Sequence, residues 1–195
     1  MKKVIFFSLL LCTISCSKNN GNDVNRIISK SAAFMAVAQD LITDECSNIS
    51  EVWGDAIRYD HCYVDNDGYE VIDDDNRCYI YTKDLSKYTY CWDFNEALRV
   101  YFRSGRHEWM LKMINEKMDS CQFYLDQMNS PLSSQKERCE KAREAFCALR
   151  ILYDCAVSPS GSHWSYISDI REKNNDFLRE FRKLEDMMRY ADKNN

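Results

Sequence analysis

The amino-acid sequence predicts a mainly α-helical fold: an antiparallel four-helix bundle with a short, disulfide-bonded β-meander or loop inserted between helices 1 and 2. The chain of 195 residues contains only five glycines and two prolines, and so few turn-forming residues favour long helices over a sandwich or barrel. Four stretches carry apolar residues close to the 3.6-residue period of an amphipathic helix. Two short turns and one long polar link join them, as in a helical bundle.

The four helices are placed by their periodicity and by capping signals. Asp93 and Glu96, and again Ser134 and Glu137, have the spacing of a capping box at a helix start. The short turns are NSPLSS and SPSGS. Asn174 interrupts the apolar seam of the last helix, either to fix its register or because it lies at the surface. The predicted helices are residues 24–57, with Gly54 a candidate for fraying, 93–128 with a break at 104–105, 134–157 and 162–191.

The insert between the first two helices, residues 58–92, differs sharply in composition. Residues 59–90 contain seven tyrosines, eight acidic and three basic residues, so most of the negative charge lies here. The alternation in CYVDNDGYEVI and RCYIYTK, with DNDG and DDDN as turns, predicts short β-strands. We expect an acidic, tyrosine-rich insert at one end of the helical body.

The N-terminal residues have the features of an export signal. Two lysines precede an apolar run over residues 4–14, which is too short for a membrane span of about 20 residues. The stretch TISC that follows resembles the lipobox of bacterial lipoproteins, with Thr13 where that family usually carries Leu, Val or Ile. The resemblance implies cleavage after Ser15 and lipid attachment at Cys16. Plain secretion with an incidental cysteine is the alternative.

The leader defines the domain organisation and the compartment. We expect a signal peptide over residues 1–15, a lipidated flexible tether over 16–23 and one helical domain over 24–195. The polar, Gly- and Asn-containing sequence SKNNGND suits a tether. Several acyl chains anchor a protein where one alone binds only marginally. The resemblance to the lipobox therefore implies an outer-membrane lipoprotein of the cell envelope, facing the periplasm or exposed at the surface.

Eight cysteines remain after the leader, and an even number in an exported protein favours disulfide bonds. A helix rises 1.5 Å per residue, so cysteines eight residues apart on one helix cannot bond. Cysteines on neighbouring helices can bond only if they lie at the same height along the bundle axis. This condition predicts two bonds within the bundle and two at the insert end. Cys46 and Cys147 have the alternative of buried free thiols. The predicted pairs are Cys121–Cys139, Cys46–Cys147, Cys62–Cys78 and Cys91–Cys155.

The run DNDGYEVIDDD is the best candidate for a ligand site. With Gly68 at position 6 of an EF-hand loop, Tyr63 would stand at the first ligand position, which breaks that motif. A weak calcium site of another kind and two ordinary Asp-rich turns both remain open. No other cofactor is predicted. The candidate calcium ligands are Asp65, Asp67, Asp73, Asp74 and Asp75.

No catalytic residue is predicted. The chain lacks G-x-S-x-G, and His107–Glu108 lacks the second histidine of H-E-x-x-H. The serines of SPSGSHWS are explained by a tight turn with Ser162 as helix N-cap. A hydrolase-like cell-envelope enzyme with an unrecognised site remains the alternative function.

Charge and composition favour a binding protein. The formal net charge of −5 excludes a basic nucleic-acid footprint. Tyrosine supplies rigid contact area with a polar tip and is common at interfaces. We therefore expect a lipid-anchored, non-enzymatic binding protein whose insert faces away from the membrane and contacts a cationic protein or a glycan. The candidate binding residues are Tyr63, Tyr69, Tyr79, Tyr81, Tyr88 and Tyr90.

Overall fold

A computed structural model describes residues 20–58, 62–65, 88–91, 98–99, 101–128, 133 and 135–193. Over these residues the chain is mainly α-helical, as its sequence predicts, with four helices and one pair of short strands. The elements in chain order are α1 (Asn20–Arg58), β1 (Cys62–Asp65), β2 (Tyr88–Cys91), α2 (Gly105–Asp126), α3 (Lys136–Val157) and α4 (His163–Lys193).

Helix α1 is one continuous element of 39 residues, about 58 Å long at 1.5 Å per residue. It begins at Asn20, so residues 20–23, predicted as flexible tether, are helical. Gly54 does not end it. A Cβ atom on Gly54 would lie 3.1 Å from the ring of His163, so this glycine lets the start of α4 approach α1 closely.

Contacts between side chains define how the helices run. Arg138 Nη1 donates to Asn25 Oδ1 at 2.7 Å, which places the starts of α3 and α1 side by side. Gln39 Nε2 donates to Asn174 Oδ1 at 3.0 Å, in the middle of α1 and α4. Asn174 is therefore half-buried against α1, in keeping with a residue that fixes register.

Helix α2 runs antiparallel to α1. Near the end of α2, the Cys121 thiol donates to the Ser31 carbonyl at 3.7 Å, and the Ser31 hydroxyl donates back to the Cys121 carbonyl at 3.4 Å. Near its start, His107 contacts Glu45 farther along α1. Helix α1 packs against all three other helices, so the core follows its length. The largest fully buried side chains are Tyr101, Tyr166, Phe177, Ile28, Met35, Ile42, Ile49, Ile114, Met128, Leu149, Leu152 and Leu184.

The helix starts follow the capping chemistry only in part. Ser104 caps α2 by accepting from the His107 amide at 3.2 Å, so the predicted break at residues 104–105 is a helix start. Ser162 and Ser165 cap α4 reciprocally, each side chain accepting from the other's amide at 3.2 and 2.8 Å. Helix α3 has Gln135 at its N-cap position with no side-chain hydrogen bond. The predicted cap by Ser134 falls on a residue outside the description.

The two described strands form an antiparallel pair with register Cys62↔Cys91, Tyr63↔Tyr90, Val64↔Thr89 and Asp65↔Tyr88. The sequence predicts β1 but expects it to continue into a local hairpin around DNDG. β1 pairs instead with a segment about 25 residues farther along the chain. The two strands thus bring together the beginning and end of the insert, and the rest of the predicted meander lies outside the described residues.

The positions of the cysteines on the helices contradict three of the four predicted disulfide pairs, the first of which is Cys46–Cys147. Cys147 is exposed whereas Cys46 is fully buried, so these two do not bond. The contact between Asn25 and Arg138 sets the register of α1 and α3. Cys46 lies about 20 residues after Asn25 on α1, and the same distance after Arg138 on α3 reaches the last turn of that helix. Cys46 is therefore level with the last turn of α3 and not with Cys147. The cysteines found with free thiols are Cys46, Cys121, Cys139, Cys147 and Cys155.

The other two pairs that involve helical cysteines are also wrong. The Cys121 thiol turns toward the carbonyl of Ser31 on α1, so it does not bond Cys139 on α3. Cys155 is free and buried under α4, which excludes the predicted bond to Cys91. The remaining predicted pair, Cys62–Cys78, includes a residue outside the described part of the chain.

Candidate functional site at the insert end

Several elements meet at the end of the helices where α1 finishes, which we call the insert end. It comprises residues 45–58 of α1, both strands, residues 98–107, the last turn of α3 and the first turn of α4. The acidic insert leaves and rejoins the helical body here. Of the predicted binding and calcium residues, Tyr63, Asp65, Tyr88 and Tyr90 lie on these two strands.

The strand register divides the ribbon into two faces, because opposed residues of an antiparallel pair share a face and successive residues alternate. One face carries Tyr63, Asp65, Tyr88 and Tyr90; we call it the tyrosine face. The other carries Cys62, Val64, Thr89 and Cys91. Three of the six predicted binding tyrosines are thus brought together with one acidic residue.

The other predicted site residues are not placed. Tyr69, Tyr79, Tyr81, Asp67, Asp73, Asp74 and Asp75 lie outside the described residues, as does the lipobox-like leader with Cys16. Asp65 lies on β1. Within the ranges that the structure describes, no three His, Cys, Asp or Glu residues gather into a metal-binding group.

A buried polar cluster, Glu45, Tyr101 and His107, joins α1 to the chain returning from the insert. Glu45 is fully buried on α1. Its carboxylate accepts from His107 Nδ1 at 2.6 Å, and the Tyr101 hydroxyl lies 2.9 Å from both of its oxygens. Burial, and then the Glu45 charge, raise the pKa of Tyr101 well above its usual range, so this hydroxyl stays a donor.

Further contacts extend this Glu45 cluster. Asn48 Nδ2 donates to Glu45 Oε2 at 3.3 Å and its oxygen accepts from Arg106, which brings a cation near the buried carboxylate. The rings of Phe102 and Tyr101 pack 4.8 and 5.5 Å from the imidazole of His107. A carboxylate can orient an imidazole for proton transfer, but His107 is only 6% exposed and enclosed by these rings. The arrangement therefore serves to hold the returning chain against α1.

A second contact, His163 with Ser50, fastens the start of α4 to α1. Nε2 of His163 lies 3.0 Å from the Ser50 carbonyl oxygen and 3.2 Å from its hydroxyl. The Trp53 ring packs between His163 and Tyr166, at 5.9 and 5.5 Å. The Tyr166 hydroxyl donates to the Cys155 carbonyl at 3.1 Å and so ties α4 to α3. Together these contacts join α1, α3 and α4 at the insert end.

The insert end also exposes apolar side chains that the helical periodicity does not mark as functional. Trp164, in the first turn of α4, is 80% exposed. Ile57, in the last turn of α1, and Val157, the last residue of α3, are exposed as well. The pattern SHWS contained the signal, because a tryptophan two positions after an N-cap lies off the buried stripe. Exposed aromatic residues of this kind are typical of contact surfaces.

Two cavities lie beside α3 and α4, away from the Glu45 cluster. A groove of about 600 Å³ is lined by charged residues of both helices, among them Lys141, Glu144, Asp176 and Arg179. A smaller cavity of about 330 Å³ lies beside Cys155 and the turn that follows α3. Glu45 and His107 line neither, so the carboxylate–imidazole pair does not face these spaces.

Comparison with protein-family models, curated proteins and solved structures found no match to this chain. In the part of the chain that the structure covers, no helix is both long and apolar enough to cross a bilayer.

Proposed function

We propose that this chain is a lipid-anchored, non-enzymatic binding protein of the cell envelope, an outer-membrane lipoprotein that contacts its partner with the insert end. In this proposal the four helices form an antiparallel bundle, and the two strands are the base of the predicted meander. The observation that carries it is the strand register, which puts Tyr63, Tyr88 and Tyr90 on one face with Asp65. Rigid aromatic residues beside an acid favour a cationic protein or a glycan as partner.

The length of α1 supports the anchoring part of the proposal. The helix begins four residues after Cys16, the proposed acylation site, and ends at Arg58, four residues before the start of β1 at Cys62. A helix of 39 residues holds its two ends about 58 Å apart. In this proposal α1 stands upright on the membrane, so an acyl chain at Cys16 leaves the tyrosine face far from the membrane surface, where a partner can reach it.

The enclosure of the Glu45 cluster supports a binding role over an enzymatic one. A catalytic pair must touch a substrate, whereas Glu45 is fully buried and His107 nearly so. The exposed Trp164 and Ile57 give the insert end an apolar contact area. The cluster then keeps the base of the binding surface rigid, which reduces the entropy lost on binding.

The proposal is tested with the full-length acylated protein in liposomes. A small basic protein and a neutral oligosaccharide serve as probes of the two partner classes. Replacing Tyr63 and Tyr90 together by alanine should weaken binding of the responding probe by about tenfold or more, because truncated aromatic hot spots cost at least about 1.4 kcal/mol. Phe123→Ala, at a 62% exposed aromatic residue on the body, is the matched control. Equal losses in both variants, or no binding of either probe, would contradict the proposal.

The anchor is tested separately. Cys16→Ala should abolish the acyl mass increment and release the protein from the membrane fraction. The anchoring claim fails if the variant remains membrane-bound, or if the wild-type chain carries no acyl group.

A further inference from the structure

We propose that Cys62 and Cys91 form a disulfide bond that closes the insert at its base. Cys62 is the first residue of β1, Cys91 is the last residue of β2, and the two are direct Cα partners in the antiparallel register. They are also the two strand residues nearest along the chain to the helical body. A bond between them would join the points where the insert leaves and rejoins that body.

The backbone geometry of such a pair suits a disulfide. Opposed residues in an antiparallel ladder have Cα atoms about 4.5 Å apart at a non-hydrogen-bonded position and about 5.5 Å apart at a hydrogen-bonded one. Disulfides span Cα distances of about 4.4–6.8 Å, so both cases are within range. Opposed residues also lie on the same face of the ribbon, so Cys62 and Cys91 share the face opposite the tyrosine face.

The register also decides between this pair and the alternatives from sequence. Cys62–Cys78 is favoured only if β1 folds back in a local hairpin, whereas β1 pairs with β2. Cys91–Cys155 is excluded because Cys155 is a buried free thiol. The five cysteines on the helices keep their thiols, so Cys62, Cys78 and Cys91 remain of the eight. Of these three, the strand register places Cys62 opposite Cys91.

The bond forms by two thiol–disulfide exchanges with an oxidising disulfide, either glutathione disulfide or a protein oxidant of the exported compartment. One cysteine thiolate attacks a sulfur of the oxidant and displaces its first thiol. The second cysteine thiolate then attacks the mixed disulfide and displaces the second thiol. The two protein thiols lose two protons and two electrons, and the oxidant is reduced to two thiols. Formation in the cell rests on the export in our proposed function, but formation in a glutathione buffer does not.

The bond would fix which residues form the binding surface. In a two-stranded ribbon, a slip of one residue in the pairing moves every side chain to the opposite face. A covalent link between Cys62 and Cys91 forbids that slip. Tyr63 and Tyr90 stand next to the link and are held opposite each other, so the tyrosine face is organised before a partner arrives.

Tryptic peptide mapping tests this connectivity, because the three insert cysteines fall on three different peptides. Cys62 lies on residues 59–77, Cys78 on 78–83 and Cys91 on 88–99. The reduced full-length protein is equilibrated with reduced and oxidised glutathione, its remaining thiols are blocked with N-ethylmaleimide, and it is digested without reductant. We expect peptide 59–77 linked to 88–99 as the main product. A link from either peptide to 78–83, or free thiols at both Cys62 and Cys91, would overturn the proposal.

Matched variants separate the bond from general effects on folding. Cys78→Ser should leave the 59–77/88–99 link intact. Cys91→Ser should leave Cys62 either as an alkylatable thiol or as a mixed disulfide with glutathione, which peptide mass identifies. The helical circular dichroism signal should stay unchanged, because the helices do not depend on the bond. Loss of the link in Cys78→Ser, or a bond from Cys62 to another cysteine of the chain in Cys91→Ser, would assign the pairing differently. Mapping of protein isolated from the cell envelope, with Cys16 acylation measured in the same sample, separates failed export from failed bond formation.

Discussion

Replacing Glu45 with alanine should be among the most destabilising single changes in this chain. The change removes the acceptor of two buried donors, the Tyr101 hydroxyl at 2.9 Å and His107 Nδ1 at 2.6 Å. Leaving a buried donor without its acceptor costs about 1–3 kcal/mol, so two such donors cost about 2–6 kcal/mol. For a domain of this size, each kcal/mol lowers the melting temperature by about 2–4 °C, so a loss of about 4–24 °C follows.

The measurement is urea unfolding followed by circular dichroism. The control is Glu51→Ala, the same substitution at an exposed position on the same helix, which should stay within about 0.5 kcal/mol of wild type. A double-mutant cycle of Glu45→Ala with Tyr101→Phe should give a coupling of about 1.5–3 kcal/mol, as expected for a hydrogen bond to a charged group. A Glu45→Ala cost below about 1 kcal/mol, or a coupling near zero, would show that these buried contacts do not stabilise the fold.

The remaining predictions concern the α3–α4 turn and the thiols. Gly161→Ala should destabilise the fold by about 1–3 kcal/mol, because φ at Gly161 is +86° and a Cβ atom there would lie 2.5 Å from the Ser165 hydroxyl. The control Gly105→Ala should not destabilise the fold, because its Cβ atom would meet nothing within 4 Å. Equal effects on the free energy of unfolding in the two variants would contradict this prediction. Exposed Cys147 should react with Ellman's reagent in the folded protein, and Cys46 only on unfolding; simultaneous reaction would show that Cys46 is accessible. Burial raises the pKa of both Cys46 and Cys121 from 9.0 to about 12. Each thiol therefore contributes stability that is complete below about pH 8.5 and is lost as the pH rises toward 12, by up to about 1.4 kcal/mol per pH unit. Urea unfolding midpoints measured over this pH range should fall as the pH rises. Midpoints that do not fall would count against the burial of these thiols.

The helices could be predicted because their signals are local. Each stretch carries its own apolar period, and Ser104–Gly105 and SPSGS carry their own breaks. The strand at residues 62–65 was visible in the same way. Its partner was not, because the pairing with residues 88–91 depends on how the ends of the insert meet at the body.

The Glu45 cluster could not be predicted because its members are far apart in sequence. Glu45 and His107 are separated by 62 positions, and neither belongs to a motif. The three disulfide predictions that involve helical cysteines failed for a related reason. Counting residues from a turn gives only approximate heights, whereas contacts such as Arg138 with Asn25 fix the true register of two helices. The insert itself could be recognised from the sequence, because its high content of tyrosine and acidic residues distinguishes it from the helices.

The most direct measurement is photo-crosslinking in the intact cell envelope. A benzophenone amino acid replaces Tyr63 on the tyrosine face in one strain and Phe123 on the helical body in another. Our account predicts membrane-fraction adducts of discrete mass from Tyr63 and none of that mass from Phe123, with the Tyr63 adducts lost when Tyr90 is also changed to alanine. Adducts from Phe123 alone, or none from Tyr63, would contradict the claim that this anchored chain binds its partner through the insert end.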